Sequence, residues 1–330
     1  MKQLKKILVI RFSSMGDIIY TTPVVRCLKL QLPACEIHFL TKEQFKYIYE
    51  LNPHLTKLHL LKPKLKDTIA DIKAEKFDLI VDLHNNLRTS IIKLATLVPA
   101  LTYKKERFTK WLALKLKWKS LYSKDHLVDR YLKTVKSLGV TNDNKPIDYY
   151  IANSYTLEEF LPESHTQSFV AFIIGATHFT KRMPVEKVIE ICKGIKRPIV
   201  LLGGNDVLQN AETIQHALGH QVYSTCGKTN LDQSVFIVSK AEKVIGFDTG
   251  LTHIAEAFNK PLVTIWGGTA PELLGVFPYK IDQSLEAGID LPCRPCSKFG
   301  LEACPLGHFK CMKDIPNELI VDYINNCEQD

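Results

Sequence analysis

The chain has no long hydrophobic run. Nothing in its 330 residues approaches the ~18 consecutive apolar residues that a membrane-crossing helix needs, which excludes a spanning segment of that kind. The basic head "MKQLKKILVIRF" is apolar only from Ile7 to Ile10 before Arg11 interrupts it, too short for a secretory signal. A cytoplasmic address is therefore expected. Low-complexity tracts and short internal repeats are lacking as well. The first strand-to-helix loop holds a single glycine, Gly16, in place of the G-x-G-x-x-G of dinucleotide folds, which argues against nicotinamide or flavin chemistry. There is no RNP-like sheet motif, helix-turn-helix signature or convincing finger, so no nucleic-acid partner is expected. A basic nucleic-acid-binding protein is the alternative class, and salt-sensitive RNA binding would favour it.

What the chain does have is positive charge. The formal net charge is +8, which invites an anionic partner, and much of the excess is local. "KKERFTKWLALKLKWKSLYSK", residues 104–124, carries eight Lys or Arg against Glu106 alone. On a helix Trp111, Leu114, Trp118 and Leu121 would form one stripe, flanked by Lys110, Lys115, Lys117 and Lys119. That pattern suits a helix lying on the inner membrane surface, with lysine stems along the apolar band and ammonium heads at lipid phosphates. It equally suits a solvated helix whose stripe packs on its own domain.

Apolar β-rich runs alternate with helical patterns along nearly the whole chain. "KKILVIRF", "CEIHFLT", "KLHLL", "FDLIVDL" and "ALTYKK" are separated by helical segments such as "DIIYTTPVVRCLKL" and "LRTSIIKLATLV". After a polar turn cluster and a short strand-like "IDYYIA", the rhythm restarts at "SFVAFIIGA" and continues through "RPIVLLGG", "HQVYSTCG", "EKVIGFD" and "PLVTIWG". This βαβα order predicts α/β architecture with parallel sheets: two lobes joined near residues 152–167 and facing a cleft at the carboxyl ends of their strands.

Three seams between strands and helices carry chemistry. In "KVIGFDTGLTHIAEAF" the turn Asp248-Thr249-Gly250 opens a helix whose first amides and positive dipole end favour an anion. Gly250 permits close approach, Thr249 adds a hydroxyl donor, and His253 follows one turn on. Asp248 reads as the helix N-cap. In "ILVIRFSSMGDIIYTTP" the loop Ser13–Gly16 leads to Asp17, either an ordinary acid at a helix start or a base placed to take a proton from a substrate hydroxyl. In "FIIGATHFTKRMP" a strand ends in a loop with Thr177, His178, Thr180, Lys181 and Arg182, suited to phosphate charge or simply solvated. Asp206, in the loop of "LLGGNDVLQNAE", could accept hydrogen bonds from ribose hydroxyls.

Taken together, "RFSSMGDIIYTTP", "GATHFTKRMP", "FDTGLTHIAEA" with "WGGTAPEL", and "CRPCSKFGLEACPLGHFKCM" resemble the inverting glycosyltransferases of family nine, whose best-known members are the ADP-heptose:lipopolysaccharide heptosyltransferases. The resemblance covers almost the full chain. It implies a GT-B fold of two Rossmann-like parallel-sheet domains facing a central cleft. Residues 1–155 would bind the acceptor and 156–330 the nucleotide sugar, with the last helix a candidate to pack back on the first domain. By the same likeness Asp17 is the general base, and Thr177 and Lys181 grip the donor diphosphate. Thr249, Gly250 and His253 form the helix-start site, with Asp248 beside them, and Asp206 falls only loosely on the family's acidic ribose contact. Ser14 and Gly16 of the small-residue loop count among the binding residues. The implied reaction moves a sugar, heptose from ADP-heptose, onto a lipid-linked core oligosaccharide of lipopolysaccharide at the inner face of the membrane, with no cofactor beyond the donor. A different nucleotide-sugar donor is the alternative. The T-T pair often found in the donor loop reads Thr177-His178 here, and the loop before Lys181 is shorter.

The chain holds nine cysteines. Four cluster as Cys293-x2-Cys296, Cys304 and Cys311, with His308 between the last two. They would either hold a structural zinc or pack a loop as reduced thiols.

Overall fold

Continuous apolar runs become fully buried parallel strands, as expected where helices cover both faces of a sheet. The computed structural model describes residues 4–151 and 155–326, so 152–154, within the expected joint, lie outside the described residues. The chain forms two compact units, one of residues 1–107 with 125–150, the other of 108–124 with 151–330.

The first unit is built on β1 (Lys6–Ile10), β2 (Glu36–Thr41), β3 (Lys57–Leu60), β4 (Leu79–Asp82) and β5 (Ala100–Thr102). They form one sheet in the order β3-β2-β1-β4-β5, with every pairing parallel. Leu8, Ile10, Leu40 and Ile80 from the central strands bury against Ile72 and Ile92 of the covering helices. Each such side chain contributes roughly 1.5–3 kcal/mol relative to exposure. Two expectations are corrected here. "DIIYTTPVVRCLKL" folds as two helices, Met15–Ile19 and Thr22–Gln31, because the Thr21 and Thr22 hydroxyls donate to the Ile18 and Ile19 carbonyls and Pro23 sits in the first turn of the second helix. Residues 147–151 of "IDYYIA" do not form a strand. Their backbone is anchored instead by polar contacts, the Asp148 amide on the Thr22 hydroxyl and the Asp148 carboxylate on Arg26.

The second unit contains β6 (Val170–Ile173), β7 (Ile199–Leu202), β8 (Val222–Ser224), β9 (Lys243–Phe247), β10 (Leu262–Ile265) and β11 (Ser284–Ala287). The order is β11-β10-β9-β6-β7-β8, again all parallel. Apolar clusters fill both faces. The final helix, Asn317–Asn326, contributes Ile320 and Ile324 to one of them. The buried Lys243 ammonium donates to the Ile324 carbonyl at 2.7 Å. That bond ties the helix to the second unit, where the resemblance left it a candidate to pack back on the first.

Residues 108–124 of the basic segment also belong to the second unit, whereas 104–107 stay with the first. The segment's helix, Arg107–Leu116, stops where Lys117 adopts a positive φ of 54°, so the expected continuous stripe divides. Leu114 and Leu121 turn inward with Ala113 and Tyr122 onto Ala270 and Leu273, while Trp111 and Trp118 remain about half exposed at 51% and 55%. Three of the flanking lysines are occupied internally. Lys110 donates to the Leu274 carbonyl, Lys117 to those of Cys293 and Pro295, and Lys119 pairs with Asp290 at 2.6 Å.

Candidate active site

β6 is flanked by β7 on one side and β9 on the other, so the loops leaving the carboxyl ends of β6 and β9 diverge at the topological switch point, where open α/β sheets bind ligands. The β6 loop ends in a tight turn, Phe179–Lys181. The β9 loop is Asp248-Thr249, and the helix Gly250–Ala255 follows with Thr249 in extended conformation at its cap. Asp248 is thus not the N-cap. The helix start lies so close to β9 that a Cβ on Gly246 would stand 2.2 Å from the Thr252 hydroxyl, which only glycine avoids. Likewise a Cβ on Gly267 would meet the Thr180 carbonyl at 2.5 Å, so the "WGGTAPEL" loop can press against the Phe179–Lys181 turn.

Asp248 organises this site. The Lys181 ammonium lies 2.6 Å from Asp248 Oδ2 and donates to its carbonyl at 3.1 Å, which uses two of its three protons. The Thr269 hydroxyl donates to Asp248 Oδ2 at 2.8 Å. His253 bridges Asp248 Oδ1 through Nε2 and Glu256 Oε1 through Nδ1, both at 3.2 Å. Glu256 also accepts the Tyr279 amide. Burial pushes the Asp248 carboxyl up, but the charges of Lys181 and His253 outweigh it and hold the group well below the usual carboxylate range. Burial likewise pushes His253 down, and its bonds to Asp248 and Glu256 outweigh that, carrying the imidazole to about 9. His253 is therefore a cation at neutral pH, next to a helix start that no side chain caps.

Around this core the other expected residues are placed less centrally. Thr177 is exposed. Asp206 is about half exposed and pairs with Arg182 at 2.7 Å, while Arg182 Nε donates to the Ala176 carbonyl. His178 pairs with Glu302.

In the first unit β1 lies between β2 and β4, again a switch point. Arg11 leaves β1, donates to the Leu83 carbonyl beyond β4 at 2.7 Å, and lies 2.7 Å from Asp17 Oδ2. The same oxygen accepts the Ser14 hydroxyl at 2.7 Å and its amide at 3.2 Å. All three interactions converge on Oδ2, and none among the described residues engages Oδ1. The Asp17 side chain is 28% exposed against 8% for Arg11. Burial raises the Asp17 pKa, but the Arg11 charge and the Ser14 bonds outweigh it and hold it below the usual value. Gly16 lies within the short Met15–Ile19 helix.

Arg11, Glu256 and Thr269 are site residues that the sequence reading missed. Glu256 stands one helical turn after His253, a spacing that could have flagged it. Nothing local marks Thr269, 21 residues from Asp248.

The second unit also contains a cavity of about 490 Å³ walled by Lys119, Tyr122, Trp266, Glu272, Glu286 and Arg294 among others. Burial, with the neighbouring Glu272 and Glu256 carboxylates, pushes Glu286 up to about 7. Cys293, Cys296, Cys304 and Cys311 are free thiols, with Cys293 Sγ 3.9 Å from His308 Nε2. Among the described residues, the group of three ligand-type side chains whose ligating atoms all lie within 4.8 Å of one another is not these cysteines but His38, His59 and Glu75.

Two parallel-sheet α/β units, each with charged side chains at its switch point, are the components of the GT-B fold of glycosyltransferases. The model of "Glycosyltransferase family 9 (heptosyltransferase)" matches residues 67–303, and the chain belongs to that family. It is 24% identical over 310 residues to lipopolysaccharide heptosyltransferase 1 of Campylobacter coli, covering 86% of this chain and 90% of that one. It shares its fold with the E. coli ADP-heptose lps heptosyltransferase II, at TM-score 0.74 and 20% identity over 97% of this chain and 98% of that one. An E. coli heptosyltransferase solved with ADP superposes at TM-score 0.65 and 21% identity, covering 86% and 93%.

Proposed function

We propose that this enzyme transfers a heptose from ADP-heptose, with inversion, to a lipopolysaccharide inner-core acceptor. The relatives that are lipopolysaccharide heptosyltransferases and the E. coli heptosyltransferase solved with ADP support the substrate class. The observation that carries the chemistry is the division of labour at Asp17, one oxygen saturated and the other open. In this reading the acceptor hydroxyl passes its proton to Asp17 Oδ1 as its oxygen bonds to the anomeric carbon. The bond from that carbon to the diphosphate breaks in the same step, and the electron pair leaves on the diphosphate oxygen. A carboxylate held below the usual range is a weak base, so proton transfer must run together with leaving-group departure. Stabilising the departing charge then carries much of the catalysis.

Lys181, the protonated His253 and the amides at Thr249 and Gly250 would supply that stabilisation, with Thr177 gripping the diphosphate and Asp206 reaching a ribose hydroxyl. Cys293, Cys296, Cys304 and Cys311 would serve the fold, as loop-packing thiols or as ligands of a structural zinc. We further read exposed Trp111, which lies beside Lys115 and stacks on Phe108, together with exposed Trp118, as a contact with the inner membrane surface, where the lipid-linked acceptor resides. Loss of co-flotation with anionic vesicles in Trp111→Ala/Trp118→Ala would support that contact, and unchanged flotation would remove it.

A thermal-shift series with ADP, GDP and UDP tests the donor, because a ligand that binds the folded state raises its stability. A rise with ADP alone is expected. A rise confined to UDP or GDP would reassign the nucleotide.

A further inference from the structure

A polar cluster lies at the opposite end of the first sheet from Asp17. Lys6, Glu36 and Lys57 stand at the amino ends of β1, β2 and β3. The pairings Lys6 with Glu36 and His38 with Lys57, together with the period-two alternation of strand side chains, place Lys6, Glu36, His38, Lys57 and His59 on one face. Glu75, the last residue of the helix Leu65–Glu75, comes down onto them. His38 Nδ1 lies 2.8 Å from His59 Nε2, and His59 Nε2 lies 4.0 Å from Glu75 Oε1. His38 is buried, and the His59 and Glu75 side chains are 10% and 17% exposed.

We propose that His38 Nδ1, His59 Nε2 and Glu75 Oε1 bind one divalent ion of the zinc class, clipping β2 and β3 to the end of the covering helix. Two imidazole nitrogens and one carboxylate oxygen, with water completing the shell, form a borderline donor set that suits zinc. The outer contacts agree. His38 Nε2 lies 3.3 Å from Glu36 Oε2, so the Nε2–H donates to Glu36 and the Nδ1 lone pair is left for the metal, an arrangement that commonly orients metal-bound histidines. With His38 Nδ1 unprotonated, His59 Nε2 carries the proton between the rings. On metal binding that proton moves to His59 Nδ1 through solvent, so no net proton is released.

The two carboxylate oxygens of Glu75 are already divided. Lys6 holds Oε2 at 3.0 Å and Lys57 holds Oε1 at 2.5 Å. Only Lys57 competes with the ion, and its side chain is 55% exposed, free to swing into water.

Zinc equilibrium dialysis and cobalt(II) absorption on the full chain test the site. His59→Gln and Glu75→Gln should each lose one bound equivalent or weaken it by at least ~10-fold. The wild-type cobalt spectrum should contain a component without sulfur charge transfer that both variants lack. Lys57→Gln should bind zinc several-fold more tightly, a gain that misfolding cannot imitate. Equal zinc content in wild type and His59→Gln would overturn the site. So would a cobalt spectrum made up wholly of thiolate bands, which would place the metal on the cysteines, or weaker binding by Lys57→Gln.

Discussion

Asp17 and Asp248 stand at matching places, each near the carboxyl end of a strand at its own sheet's switch point and each beside a cation, yet their bonds are distributed differently. Asp248 is 6% exposed and uses both oxygens, one on Lys181 and Thr269, the other on His253. It has nothing left to offer a reactant and acts as an anchor that aims two cations. Asp17 puts all its bonds on one oxygen and keeps 28% exposure. In the proposed reaction, where a carboxylate's partners sit, more than how many it has, would separate a reacting group from a scaffold.

The sharpest test of that contrast is Asp17→Asn. Because Asn keeps the shape and loses the basic oxygen, transfer followed as nucleoside diphosphate release should fall by about 10²–10⁴-fold, while calorimetric donor affinity stays unchanged. A variant that still turns over would erase the distinction between the two acids. Asp248→Asn should behave differently, losing stability first. It leaves Lys181 and His253 buried without their shared counter-charge, and unfolding in urea should show a loss of about 3–5 kcal/mol.

The next test is pH. His253 has its pKa raised from 6.5 to about 9 on folding, so its contribution is fully present below pH 6.5 and is lost as pH rises through 9. Urea midpoints measured between those values should show wild type losing about 3 kcal/mol that His253→Gln does not lose. Parallel slopes for the two proteins would mean that His253 is not a cation. Thr269→Val should give the smallest effect, about 1.5 kcal/mol for one hydrogen bond to a charged group, together with weaker ADP binding as Lys181 loosens.

Much of the fold was legible in the sequence because buried parallel strands such as "KILVI" and "IVLL" are unbroken apolar runs. β11 was not legible, since "SLEA" is a short edge strand whose Glu286 interrupts the pattern. "IDYYIA" has strand-like composition, but the Asp148 and Arg26 pair that fixes its path couples residues more than a hundred apart. At the site, the residue types and loops could be read, whereas the role of Asp248 could not. A local rule made it a cap, and two of its actual partners, Lys181 and Thr269, arrive from the loops that follow β6 and β10.

The basic segment has a consequence for anyone who would recombine this enzyme with a relative. Residues 108–124 are translated before residues 125–150 of the first unit, yet they pack Ala113 and Leu121 against Ala270 and Leu273. A chimera cut once near residue 150 therefore gives one half a foreign patch and leaves the other with an uncovered apolar wall. On the ribosome, the same stretch must wait some 150 residues for its berth.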